Sequence, residues 1–111
     1  MKVFISQPMR DKTQEEIETR RKEIIEAIRN RYLNDNIEFI YSVIEEQPNA
    51  NVQNIPVWYL AKSIDMLSTA TLTYFDEGWE NARGCRVEHK ICEDYGIQFI
   101  DYINLFTYEK E

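Results

Sequence analysis

Ala70-Thr71-Leu72-Thr73-Tyr74-Phe75, then Gly78-Trp79-Glu80-Asn81-Ala82-Arg83-Gly84-Cys85-Arg86-Val87-Glu88 running on to Gly96, then Ile97-Gln98-Phe99-Ile100: this run reads as strand, helix, strand. The two ends are rich in β-branched and aromatic residues, and residues 82–95 between them are long enough for four helical turns, stopped by Gly96 as the residue after the helix. Two strands joined by such a helix lie parallel, because parallel neighbours need a crossover and the crossover is right-handed.

The same alternation extends upstream. Lys2-Val3-Phe4-Ile5-Ser6 forms a short apolar strand, and the loop Gln7-Pro8-Met9-Arg10-Asp11-Lys12 leads to Thr13 and Glu16, a Thr-x-x-Glu capping box. Ile17, Ile24, Ile25, Ile28 and Tyr32 recur near helical spacing, so the first helix runs to about Leu33. Residues 37–43 are strand formers after the turn Asn34-Asp35-Asn36. Residues 45–54 mix Pro, Gln and Asn without a period and read as a mobile loop able to cover a pocket. Pro56 suits the first turn of a second helix, whose apolar stripe is Val57, Leu60, Ile64 and Leu67.

Strands alternating with helices give an α/β class: a flavodoxin-like or Rossmann-like three-layer sandwich around a four- to five-stranded, mainly parallel sheet of strand order 2-1-3-4. In such sheets ligands bind beyond the carboxyl ends of the strands where the winding reverses, here between strands one and three. That crevice receives Ser6, Gln7, Pro8, Met9 and Arg10 after the first strand, and Asp76, Glu77, Gly78, Trp79, Asn81, Arg83, Gly84 and Glu88 after the third.

The 111 residues suit one domain, 1–111, and a composition of 43% hydrophobic and 13% aromatic residues is globular. A formal charge of −7 opposes nucleic-acid binding, and no apolar run approaches the ~20 residues of a membrane span, so the expectation is a cytoplasmic protein with a small-molecule partner. Cys85 and Cys92 are seven apart on one helix, ~10 Å along its axis, and so are free thiols. With Glu88 and His89 they form a stripe that resembles a metal site, but two turns of helix separate the thiols too far for one zinc ion; no metal is expected.

Each residue at the crevice has a plain alternative. Arg10 and Arg83 fit either cleft cations or solvated surface charges. Trp79 reads either as a rim aromatic closing the core or as a wall for a base or sugar. Gly84 in the first helical turn allows close approach of a ligand to the backbone and its N–H groups. Glu88 divides between a helix-surface carboxylate and an inward-facing nucleophile.

The opening Phe4-Ile5-Ser6-Gln7-Pro8-Met9-Arg10 and the block from Gly78 to Glu88 resemble an uncharacterised phage and bacterial family (DUF4406) related to the nucleoside 2-deoxyribosyltransferases and, further off, to nucleotide N-glycosidases. The similarity covers nearly the whole chain. In those enzymes a helical Glu attacks the anomeric carbon of a nucleoside, and Glu88 matches it, with Gly84 matching a preceding glycine. The resemblance implies cleavage or transfer at the N-glycosidic bond of a nucleoside or nucleoside 5′-monophosphate, with residues 6–10 holding sugar, base or phosphate and with no cofactor. It departs at Ala82, where relatives carry Asp, and at Lys90, where they carry Gly. Asp65 lies within one residue of another family Asp and is the candidate acid, with Asp76 or Glu77 as substitutes for the group missing at Ala82. The relatives form oligomers, which implies a homo-oligomer here; the aromatic tail Tyr102, Phe106 and Tyr108 suits an interface or burial within the monomer. The alternative function is a non-catalytic nucleotide-binding sensor or interaction protein.

Overall fold

The computed structural model describes residues 1–107. Its sheet has four strands, all parallel, in the order β2-β1-β3-β4: β1 (Lys2–Ser6), β2 (Glu38–Phe39), β3 (Leu72–Phe75) and β4 (Phe99–Asp101). Val3 sits beside Leu72 and Ser6 beside Phe75, so the two central strands end together at the carboxyl edge. Helices α1 (Gln14–Arg31), α2 (Ile55–Leu67) and α3 (Arg83–Tyr95) are the connections. The architecture is the expected flavodoxin-like sandwich, with four strands and no fifth among the described residues.

Strand alternation divides the core into two layers. On one face Val3, Ile5, Leu72 and Tyr74 pack with Ile24, Ala27 and Ile28 of α1 and with Leu105. On the other, Phe4 and Phe75 pack with Leu67 of α2 and Cys92 of α3. Each fully buried aliphatic side chain contributes roughly 1.5–3 kcal/mol. A π-helical turn, Ile103–Thr107, closes the first layer: Leu105 is fully buried, and Tyr102 and Phe106 pack against the same core. Those two tail aromatics are thus packed within the monomer; Tyr108 lies outside the described residues.

Local chemistry sets the ends of the elements. At α1 the capping box is complete, the Thr13 hydroxyl accepting from the Glu16 N–H and the Glu16 carboxylate from the Thr13 N–H. At α2 the Asn54 side chain caps Val57 at 3.0 Å, and Val57, expected on the apolar stripe, is 57% exposed in the first turn of the helix. β2 is far shorter than the expected 37–43: after the Ile40 N–H reaches Val3, the Ile40 carbonyl accepts from the Arg21 guanidinium at 3.0 Å, and the ladder stops. β4 begins two residues late because Gly96, at φ 71°, and Ile97 both return their N–H groups to Cys92 and belong to the cap of α3. No helix among the described residues is long and apolar enough to cross a membrane.

Candidate functional site

By the alternation of β1, Ser6 faces the same layer as Phe4, toward α2 and α3. Its hydroxyl donates to Glu88 Oε1 at 2.7 Å, joining the carboxyl end of β1 to the second turn of α3. Both side chains are buried, Glu88 at 6% exposure. Burial raises the Glu88 carboxyl to about 7; the Ser6 hydrogen bond, which favours the ionised form, offsets only part of that rise. A carboxylate placed this way is an inward group, and the helix-surface alternative is excluded.

Ser6 and Glu88 stand at the base of an open cleft of about 910 Å³, within the usual range for small-molecule sites and at the expected switch point between β1 and β3. The loop after β1 supplies Gln7, Pro8, Met9 and Arg10 to its lining. Gln7 is buried and fixed by donation from its Nε2 to the Ile17 carbonyl at 3.0 Å, while Met9 and Arg10 are exposed at the mouth. Across from them stand Asn81, Arg83 and Gly84. Gly78, at φ 90° and ψ 2°, occupies the turn position that needs a left-handed residue, and the turn carries the chain into a 3₁₀ segment, Trp79–Asn81, and then into α3. Ala82 begins α3 without a side-chain cap, so the first N–H groups of the helix remain available to a ligand. Nothing crowds Gly84: a Cβ there meets only Leu60 Cδ1, at 3.9 Å.

Four expected site residues are elsewhere. Asp76 is buried in the α1 layer, below the cleft, because it follows the Leu72–Tyr74 parity of β3. Its carboxylate accepts from Arg20 through Nε at 3.0 Å and Nη2 at 2.8 Å and from the Tyr74 hydroxyl at 2.7 Å. Burial pushes the Asp76 carboxyl up, but the Arg20 and Tyr74 hydrogen bonds outweigh it and leave it below its ordinary value. Trp79 turns away from the cleft and stacks on His89, ring centroids 4.0 Å apart at 12°, with Phe75 alongside. It is the rim aromatic. Asp65 is exposed on α2, on the side away from Leu60 and Ser63, and Glu77 is exposed too; neither lines the cleft.

The apparent metal stripe also separates. His89 Nδ1 meets Glu93 Oε1 at 3.0 Å and its ring is packed among Phe75, Trp79 and Phe99. Among the described residues no three His, Cys, Asp or Glu side chains are grouped to hold a metal ion. Cys85 lines the cleft beside Glu88, and burial pushes its thiol up to about 11, so it is protonated at neutral pH.

The wall formed by α2 was not foreseen. Pro56, Tyr59, Leu60 and Ser63 border the cleft, joined by Ser42 from the connection before α2, whereas none of residues 45–54 reaches the lining. The i, i+3, i+4, i+7 spacing of these four α2 residues was the available signal for one helical face, obscured because the apolar stripe shares Leu60. The chain matches no protein-family model, no curated protein and no solved structure.

Proposed function

We propose that the cleft binds a nucleoside or nucleoside 5′-monophosphate and that Glu88 acts on its N-glycosidic bond, by cleavage or by transfer. The observation that carries this reading is the buried Glu88 carboxylate, held by Ser6 on the floor of a cleft at the carboxyl edge of the sheet. A displacement through an oxocarbenium-like transition state calls for an anionic group close to the sugar and shielded from water. In the ionised form Glu88 attacks the anomeric carbon. The bond to the base breaks with its electron pair passing to the base, which takes up a proton, and water or a second base then resolves the glycosyl ester. The resemblance of residues 4–10 and 78–88 to the deoxyribosyltransferase-related family supports the same chemistry.

One observation favours a second reading, a nucleotide-binding module without turnover. Among the described residues Glu88 is the only carboxylate lining the cleft, since Asp65, Asp76 and Glu77 lie elsewhere, so the described lining offers no second carboxyl group to protonate the leaving base.

The two readings separate in one experiment. The protein and its Glu88→Gln variant are incubated with ribo- and deoxyribonucleosides and their 5′-monophosphates, with and without an acceptor base, and free base is followed by chromatography. Base released by the parent and lost in the variant supports the glycosidic reaction. Saturable nucleotide binding in both proteins with no base released supports the binding module.

A further inference from the structure

We propose that the α2 side of the cleft is the base subsite, with the Tyr59 ring as its stacking platform; this rests on the nucleoside reading above. A nucleobase is a planar π-system, and an aromatic face in a partly desolvated wall is the group that holds one regardless of sequence. Among the described residues the cleft has one good supplier. Trp79 is stacked on His89, and Phe4, though it touches the floor, is 98% buried in the core beneath. Tyr59 is half-buried in the wall, and its ring is braced edge-on by Trp58, centroids 5.0 Å apart at 90°. Such bracing fixes the ring plane before a ligand arrives, which reduces the ordering cost of binding.

The neighbours of Tyr59 suit the same occupant. Pro56 and Leu60 extend the apolar surface, and the half-buried hydroxyls of Ser42 and Ser63 border it, with donors and acceptors for the edge of a heterocycle. Leu60 also faces the first turn of α3, so the wall lies directly across from the helix that carries Glu88. The cationic side chains, Arg10 and Arg83, belong to the other elements of the cleft. A nucleotide therefore lies with its base on α2, its anomeric carbon toward Glu88 and its phosphate end toward the arginines.

The test is equilibrium binding by calorimetry to a nucleoside 5′-monophosphate and to ribose 5-phosphate, which lacks the base, for the parent, Tyr59→Phe and Tyr59→Leu. Leucine keeps an apolar wall without a π-face, which guards against mere loss of folding. The expected result is that Tyr59→Phe stays within about twofold of the parent for the nucleotide, Tyr59→Leu binds it about tenfold more weakly, and ribose 5-phosphate binds all three alike. Nucleotide affinity unchanged in Tyr59→Leu overturns the subsite and leaves the nucleoside reading standing. Equal weakening of both ligands in Tyr59→Leu overturns it as well, because the ring then acts on the whole cleft. A parent that binds no nucleotide overturns both together.

Discussion

Glu88 and Asp76 are buried carboxyl groups with opposite environments, and they predict opposite responses to pH. Glu88 rises from 4.5 to about 7 on folding, so its favourable protonated state is fully present below about pH 4.5 and its contribution is lost as pH climbs through 7. Above that, keeping it ionised costs about 3 kcal/mol, from about 1.4 kcal/mol per pK unit. Glu88→Gln keeps an oxygen to accept from Ser6 and carries no charge. Urea unfolding should show the variant more stable than the parent by up to about 3 kcal/mol at pH 8 and nearly equal to it at pH 4; a difference independent of pH would remove burial as the cause. If Glu88 is the nucleophile, turnover should rise with pH through about 7 as the anion forms. Asp76 is lowered on folding, so its contribution is present above the ordinary carboxylate range and is lost as the medium is acidified. Asp76→Asn removes the charge that faces the Arg20 guanidinium, which is about a quarter exposed and keeps Glu23 at 3.7 Å, and should cost about 2 kcal/mol. Ligand affinity in that variant should stay within a few-fold of the parent, since Asp76 does not line the cleft. Its placement was readable from the parity of β3, Leu72, Tyr74 and Asp76 sharing a face; position after a strand shows only which end of the sheet a residue occupies, and parity shows which layer it enters.

At the scale of elements, the sequence was most legible where one local force decides. The capping box of α1 and the glycine stop of α3 need only neighbouring residues, and both are present as read. β2 was overread because residues 41–43 have strand propensity but no partner beyond the point where Arg21 takes the Ile40 carbonyl, a contact across 19 residues. The α2 wall was missed for a similar reason: Leu60 belongs both to the apolar stripe and to the cleft face, and which arc of a helix meets a cleft is set by contacts distant in sequence. Two glycines of α3 test how local the rules are. Gly96 is left-handed with open space around it, so Gly96→Ala should lose about 1 kcal/mol from backbone strain alone. Gly84 is helical, and its added methyl meets Leu60 at ordinary contact distance, so Gly84→Ala should gain up to about 1 kcal/mol in helix propensity. Thermal unfolding of the two variants should therefore move in opposite directions. Nucleotide binding should weaken only in Gly84→Ala, where the methyl narrows the gap between α2 and α3.

For the whole molecule, topology located the cleft before any side chain was known: order 2-1-3-4 forces the winding to reverse between β1 and β3, and Ser6, Asn81, Arg83 and Glu88 converge there because they follow those strands. Charge decides what enters. At −7 the molecule repels a polyanion on average, and an extended phosphate chain must cross that field along its whole length, whereas on the proposed reading a mononucleotide needs to bring only its single phosphate near Arg10 and Arg83. A ligand that binds only the native state at 100 times its Kd stabilises it by about 2.7 kcal/mol, and for a domain near 100 residues that raises Tm by roughly 10 °C or more. In differential scanning calorimetry at low salt, a nucleoside 5′-monophosphate should raise Tm by that order, the nucleoside at the same concentration by less, and a single-stranded oligonucleotide negligibly. Glu88→Gln should retain the nucleotide shift, because the substitution removes the charge of the proposed nucleophile and leaves the arginines and the α2 wall in place. A larger shift with the oligonucleotide would mean that charge distribution outweighs net charge, and the cleft would then be the end of a longer groove.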